Sequence, residues 1–355
     1  MPIVITDEDA ERLLSIPEAI EAMRVAFGDF AEGKAVNPPR MRYASATGEA
    51  QRRYIANVHA GAVQSANVAC VRAGSTFEVM DARSSDRKST HGADGANWSV
   101  ILLFDLTSGE PLAFMHEAYL SGFRVGATTA LGVAQAAREN SETLGLFGTG
   151  AQAFPNCRAV CAVRPIKTVK VFSPSTAHRA AFVARMAKAG QGDLKVVAVD
   201  DPQEVVRGSD IVVCATNSKK PVFDGDWLEP GQMVVTIANS DVVNQRFEVD
   251  EKTVARADKI IINDWNSVVA NKQVEVLGPL ERGVIKRDDI VSLGDLVAGR
   301  ASVKTTPDSV VYYKNNSGLA IQFAACGAIL HRKLLQEGTN RTIPLDWFQS
   351  RTYVP

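Results

Sequence analysis

The sequence predicts an α/β protein whose larger part is a Rossmann-type, doubly wound parallel sheet, preceded by a region of α+β character. Three observations predict it. A chain of 355 residues with 46% apolar side chains exceeds the size at which one hydrophobic core stops growing, so two domains are expected. From about Gly122 onward, apolar strands at Leu144–Phe147, Val169–Phe172, Lys195–Val199, Ile211–Ala215, Met233–Ala238 and Lys259–Asn263 alternate with helical stretches, the pattern of a parallel sheet covered on both faces. The first of these strands runs straight into Gly148-Thr149-Gly150-Ala151-Gln152-Ala153, which opens a helix.

Taken in order, Asp7 to Gly33 has helical periodicity, with Ser15 and Glu18 spaced as a capping box ahead of Ala19, Ile20, Met23 and Phe27. Segments at Met41–Ala46, Arg53–Val58, Asn67–Ser75 and Trp98–Phe104 are short, β-branched or aromatic, and bounded by Gly and polar clusters, so they are predicted strands. Between Phe77 and Asn97 the chain turns polar, with His91 near Gly92 and Gly95, which predicts a long loop. Small residues then repeat at helical spacing from Gly122 to Glu139. After Leu293 the order loosens, Val310–Tyr313 is extended, and a final helix is predicted from Leu319 to Leu335.

Composition narrows the function classes. Lys plus Arg total 39 against 40 for Asp plus Glu, so no net field favours nucleic acid or anionic lipid. Met1 to Leu14 is acidic and lacks an apolar core, and no apolar run approaches the length of a membrane span. Five cysteines without a framework spacing suit reduced thiols, so a cytoplasmic location is expected. Cys157 and Cys161 share a helix face but have no second ligand pair, so no metal site is predicted.

The glycine turn carries the first functional expectation. Small residues at Gly148, Gly150 and Ala153 let the strand turn tightly, bring the backbone of Thr149, Ala151 and Gln152 against a pyrophosphate, and allow close helix packing. An NAD site usually places a carboxylate at the end of the next strand to accept from the ribose hydroxyls. Here that strand ends in Ser173-Pro174-Ser175-Thr176, followed by His178 and Arg179. Ser173, Ser175, Thr176 and Arg179 suit a 2′-phosphate, so NADP is the expected cofactor and NAD the alternative.

Gly109-Glu110-Pro111, Leu120-Ser121-Gly122-Phe123-Arg124-Val125-Gly126-Ala127 and Gly148-Thr149-Gly150-Ala151-Gln152 follow one another in the order of a known pattern. So do Ala215-Thr216-Asn217-Ser218, Trp227-Leu228 with Pro230-Gly231, and Lys314-Asn315-Asn316-Ser317-Gly318. Together they resemble the ornithine cyclodeaminase/mu-crystallin family over about Pro39 to Ala325.

The resemblance implies a Rossmann domain (126–314) and a substrate-binding and dimerisation domain from both chain ends (1–125 and 315–355), commonly in a homodimer. It implies hydride transfer between C4 of a nicotinamide and the α-carbon of an amino or imino acid, as in ketimine reductases and amino-acid dehydrogenases. A cyclodeaminase and a non-catalytic NADP-binding protein are the alternatives. Ala215, Thr216, Asn217, Ala238, Asn239, Asn316, Ser317 and Gly318 fall at its cofactor positions.

Arg124, at the opening of the predicted Gly122–Glu139 helix, is suited to gripping a substrate carboxylate. Arg40 matches a second carboxylate-binding arginine, with Arg42 close by. Arg72 stands where the family has a lysine that contacts substrate and moves a proton. Arginine keeps the charge but holds its proton too tightly for that exchange. Where cyclodeaminases present an Asp, Ser240 is aligned and Asp241 follows it. Asp241, His91 or an ordered water are the candidates for proton transfer.

Overall fold

The structure is a computed structural model and describes residues 1–80, 87–90, 98–190, 192–240, 245–303, 306–316 and 318–347. Met1–Ser15, Glu32–Ser121 and Gly318–Pro355 form one compact unit, and Ile16–Ala31 with Gly122–Ser317 the other.

The first unit is built on a sheet of β1 (Ile3–Ile5), β2 (Ala35–Val36), β3 (Met41–Ala46), β4 (Arg52–Val63), β5 (Val68–Met80), β6 (Arg87–Thr90), β7 (Trp98–Asp105) and β8 (Pro111–His116). The strand order is β1-β8-β7-β5-β4-β2, with β3 on β4 and β6 on β5. Every pair is antiparallel except β1 with β8. One face carries Ile55, Cys70, Ile101, Leu103 and Met115, all buried. They meet the closing helix α11 (Ala320–Glu337), whose Phe323, Ala324 and Leu330 are buried in turn. Asn37 accepts the Ala320 amide at 2.6 Å and so fixes the start of that helix.

Two expectations are corrected in these elements. The predicted helix from Asp7 to Gly33 is two helices, α1 (Asp7–Leu13) and α2 (Ile16–Ala31). Pro17 has no amide to donate and its ring would clash with the carbonyl one turn earlier, so a continuous helix through Leu13 is blocked. The polar stretch from Phe77 is not all loop, because β5 runs to Met80 and pairs with β6 through the backbone. A ladder built from backbone groups tolerates polar side chains on its edge strand. Strands β1 and β8 carry little sequence signal, being three residues long and opened by a proline respectively.

In the second unit β9 (Thr143–Phe147), β10 (Thr168–Phe172), β11 (Lys195–Ala198), β12 (Ile211–Cys214), β13 (Met233–Thr236), β14 (Lys259–Ile262), β15 (Ile290–Ser292) and β16 (Val311–Lys314) form one sheet. Its order is β11-β10-β9-β12-β13-β16-β14-β15, and all neighbours are parallel. Helices α3 (Ala118–Ala136), α4 (Ala153–Val163), α5 (Thr176–Lys188), α6 (Pro202–Val206), α7 (Glu251–Ala255), α8 (Trp265–Ala270), α9 (Val274–Glu281) and α10 (Leu293–Val297) connect these strands or border them.

Burial on both faces explains the continuous apolar strands: Ile211–Cys214 and Met233–Thr236 are buried at every residue. The second unit also takes in α2. Its Phe27 is fully buried, and a side chain at Gly294 of α10 would come within 2.9 Å of the Phe27 carbonyl.

Candidate nucleotide-binding and active site

Strand order reverses between β9 and β12, and parallel sheets bind ligands in the crevice outside the carboxyl ends of such a pair. A cavity of about 1130 Å³ opens at that place. Gly148, Thr149, Gly150, Ala151 and Gln152 form one wall, Phe172, Ser173, Pro174 and His178 another, and Ala215, Thr216, Asn217 and Ser218 a third.

Gly148 has φ +100°, and a Cβ there would stand 2.4 Å from the Ala215 carbonyl oxygen, so the turn itself demands glycine. At Gly150 a Cβ would meet no protein atom within 4 Å. The absence of a side chain at Gly150 therefore serves the cavity and not the packing. Gln152 makes no side-chain cap to the start of α4, which leaves that helix end available to an anion. Both features fit a dinucleotide phosphate.

The residues expected to surround a 2′-phosphate separate into two groups. Ser173 and His178 line the cavity, as do Arg185, Lys220 and Arg246, and among the described residues none of those lining it is acidic. Arg179 is buried and turned to its own surroundings: it donates to the Ser173 carbonyl at 2.6 Å, to the Thr176 hydroxyl at 3.1 Å and to Asp200. Ser175 caps α5 by accepting the His178 amide at 3.3 Å. Arg179, Ser175 and Thr176 thus shape the turn after β10, while Ser173 and His178 line the cavity itself. An exposed acid at Asp200, distant in sequence, claims the guanidinium.

Sequence inspection missed a buried polar cluster beneath the cavity floor. The fully buried Lys314 donates to the Ala238 carbonyl at 2.5 Å and to Glu275. Glu275 accepts the amides of Glu248 and Val249 at 2.7 and 3.2 Å. Glu248 accepts from Thr216, Ile237 and Ala238. Burial pushes the Glu248 carboxyl up to about 7, with Lys314 opposing the shift and Glu275 adding to it.

A second buried chain of hydrogen bonds joins Tyr313 to Asn263 at 2.5 Å, Asn263 to Asn315 at 2.7 Å, Asn315 to Thr129 at 2.9 Å and Thr129 to Asn156 at 2.6 Å. It ends where Asn156 donates to the Gln152 carbonyl of the glycine turn at 2.8 Å. These residues lie far apart in the chain, and no local spacing marks them as partners.

The expected substrate arginines are placed as follows. Arg124 is buried on α3, but that helix begins at Ala118, so Arg124 sits in its second turn and not at its amino terminus. The extra turn forms because Asp7 accepts the Tyr119 amide at 2.9 Å, a cap invisible to local sequence. Arg72 on β5 donates to the buried Glu117 at 3.0 Å, and its guanidinium lies over Gly74, where a Cβ would come within 2.7 Å of it. Arg42 is held by Glu78 at 3.0 Å, with Arg53 on the other oxygen. Arg40 precedes β3 and is half-buried.

The model of the ornithine cyclodeaminase/mu-crystallin family matches residues 1–337. The chain belongs to that family. It is 25% identical to the Δ1-pyrroline-2-carboxylate reductase of Bacillus cereus over 96% of this chain and 99% of that protein. The same activity from Thermococcus litoralis, solved with NADH and L-proline, superposes with TM-score 0.82 at 23% identity, covering 96% and 100% of the two chains. An archaeal alanine dehydrogenase dimer with bound NAD superposes at 0.79 with 23% identity, over 95% and 97%.

Among the positions where the family resemblance placed cofactor contacts, Ala238 and Asn316 are buried. Asn316 accepts the Asn263 amide at 2.8 Å and donates to the Asp264 carbonyl at 3.1 Å. The Asn239 side chain accepts from Gln273. Gly318 has φ +114°. Ser240, aligned with the cyclodeaminase Asp, is fully buried and accepts the Arg246 amide at 2.9 Å. Asp241, Ser317 and His91 lie outside the described residues.

No described helix is long and apolar enough to cross a membrane. No cluster of three potential metal ligands occurs among the described residues. Cys157 is buried and its thiol is raised by hydrogen bonding to Cys161 and by burial.

Proposed function

We propose that this protein is a nicotinamide-dependent oxidoreductase acting at the α-carbon of an imino or amino acid, working chiefly as an imino-acid reductase. The observation that carries the reading is the glycine turn over an open cavity at the β9/β12 switch point, in a chain of this family. The nicotinamide supplies a hydride when bound. The protein's part is to hold the phosphates at the start of α4, to grip the substrate carboxylate, and to present a proton to the imine nitrogen.

We assign the carboxylate grip to Arg124, with Arg40 assisting. Arg72 acts through charge, since an arginine side chain is a poor general acid or base. Proton transfer falls to Asp241, to His91 or to water. A buried serine that accepts the Arg246 amide stands at the aligned acid position, which favours a reductase over a cyclodeaminase.

On the cofactor, the cavity carries His178, Arg185, Lys220 and Arg246 and, among the described residues, no carboxylate, which supports NADP over NAD as the preferred dinucleotide. The phosphate is assigned to Ser173, His178 and Arg185, not to Arg179. Titration of the protein with NADPH and NADH tests this directly. A tenfold preference for NADH, about 1.4 kcal/mol, refutes the phosphate pocket.

A homodimer is proposed from the face of the first sheet opposite α11. There Met41 pairs with Val58, Ala73 and Val100 in one row across the strands, and Tyr43 with Ala56, Ser75 and Trp98 in the next. Met41, Tyr43, Trp98 and Val100 are exposed, and an apolar patch of this kind suits a second copy of the chain.

The deciding experiment screens cyclic and acyclic imines for reduction, and amino acids for oxidation, with both dinucleotides. Turnover of a cyclic imino acid with oxidation of NAD(P)H is the expected result. Conversion of ornithine or lysine with release of ammonia and no net change in nicotinamide absorbance establishes a cyclodeaminase instead. Tight dinucleotide binding with no turnover of any of these compounds refutes the enzymatic reading.

A further inference from the structure

Glu248 stands behind the nucleotide cavity, and its two oxygens span two strand ends. One accepts the Thr216 amide at 2.6 Å and the Thr216 hydroxyl at 2.7 Å. The other accepts the amides of Ile237 at 2.9 Å and Ala238 at 2.8 Å. Thr216 follows β12 and lines the cavity, while Ile237 and Ala238 follow β13. The carboxylate therefore sets the spacing between two neighbouring strand ends, at the edge of the sheet where dinucleotides lie in this fold.

The surroundings hold Glu248 in turn, because Glu275 accepts its amide at 2.7 Å and Lys314 bridges Glu275 to the Ala238 carbonyl. An ionised carboxylate is purely an acceptor and satisfies all four donors. Glutamine offers one oxygen and one NH₂, so one pair of donors would face another donor.

We propose that Glu248 is the positioning residue of the dinucleotide site, acting through Thr216 and Ala238 without touching the cofactor. This rests on the reading that the cavity takes a nicotinamide dinucleotide. The groups that face Glu248 are Cys214 on β12, Glu275 on α9, and Tyr312 and Lys314 on β16. With its carboxyl raised to about 7, chiefly by burial, the form that accepts all four bonds prevails above neutrality and is lost below it.

The test compares wild type with Glu248→Gln in two measurements. In dinucleotide titrations with NADH and NADPH, wild-type affinity falls about tenfold from about pH 8.5 to about pH 6, as the competent fraction falls. The variant binds weakly at every pH, and its KM for the dinucleotide rises more than its kcat falls. In the cofactor-free protein, amide hydrogen exchange at Thr216, Ile237 and Ala238 accelerates in the variant.

Affinity of Glu248→Gln equal to wild type at the higher pH overturns the proposal, and so does unchanged exchange at those three amides. A wild-type protein that is folded yet binds neither dinucleotide overturns the reading of the cavity. The exchange data then still decide whether Glu248 fixes the two strand ends. Should Glu248→Gln not fold, Thr216→Val removes the hydroxyl donor alone, and its expected outcome is a smaller loss of affinity. Wild-type binding by Thr216→Val, together with a wild-type affinity independent of pH, also overturns the proposal.

Discussion

The two glycines of the cofactor turn should fail in opposite ways when each is replaced by alanine. At Gly148 the backbone holds φ +100°, and the added Cβ would lie 2.4 Å from the Ala215 carbonyl oxygen and 2.9 Å from its carbon, neither of which belongs to a flexible side chain. The left-handed conformation costs an L-residue about 1–2 kcal/mol. Displacing a neighbouring strand end adds about 1–3 kcal/mol of the kind met on overpacking a core. Gly148→Ala should therefore lose about 2–5 kcal/mol, a fall in Tm of roughly 5–15 °C for a unit of this size.

At Gly150 no protein atom lies within 4 Å of the added Cβ, and φ is not positive, so stability should change by less than about 1 kcal/mol. If the cavity takes the proposed dinucleotide, the methyl would crowd its pyrophosphate, so Gly150→Ala should weaken NADPH at least about tenfold, or 1.4 kcal/mol, and Gly150→Val should abolish binding in a folded protein. Thermal melts followed by circular dichroism, with dinucleotide titrations on the same samples, read both effects. A Gly148→Ala protein that melts with wild type, or a Gly150→Val protein that binds NADPH normally, refutes the division of labour.

Arg124→Ala should lower kcat/KM by on the order of 2–5 kcal/mol while NADPH affinity stays unchanged, with Arg124→Lys recovering only part because a point charge cannot reproduce a paired fork. Near-normal kinetics in a folded Arg124→Ala protein would place the carboxylate elsewhere. Arg72→Met should cost about 3–5 kcal/mol in urea unfolding, since it leaves Glu117 buried without its cation, and the double variant with Glu117→Leu should recover most of that loss. Equal destabilisation by the single and double variants would show that the pair is not coupled. Finally, a carboxyl raised from 4.5 to about 7 binds its proton more tightly in the folded than in the unfolded state. The stability that Glu248 contributes is then full below about pH 4.5 and disappears as pH rises through about 7. Relative to Glu248→Gln, wild type should lose up to about 3 kcal/mol between about pH 4.5 and about pH 8, and a constant difference across that range in urea titrations would be incompatible with the raised carboxyl.

By itself the sequence determined the parallel sheet, the glycine turn and the family, because those signals are local. A buried strand is a run of apolar residues, a helix has its own period, and a phosphate turn needs small residues at set offsets within one short segment. Leu144–Phe147, the turn from Gly148 and the helix opened by Ala153 carry strand, turn and helix in succession. Only the tertiary structure decided which charged groups meet. Arg179 follows the second strand of the Rossmann unit as a phosphate ligand would, yet Asp200 claims it from the end of the third. Arg124 lies near the start of the helix that local spacing predicts, yet Asp7 caps a turn that begins earlier. Glu248, Glu275 and Lys314 are each unremarkable in the sequence and become one buried cluster only when β13, β16 and α9 come together. The physical reason is common to all of these: a buried charge must find a partner at hydrogen-bond distance, and that partner is chosen by strand order and crossover geometry, which residue spacing along the chain does not encode.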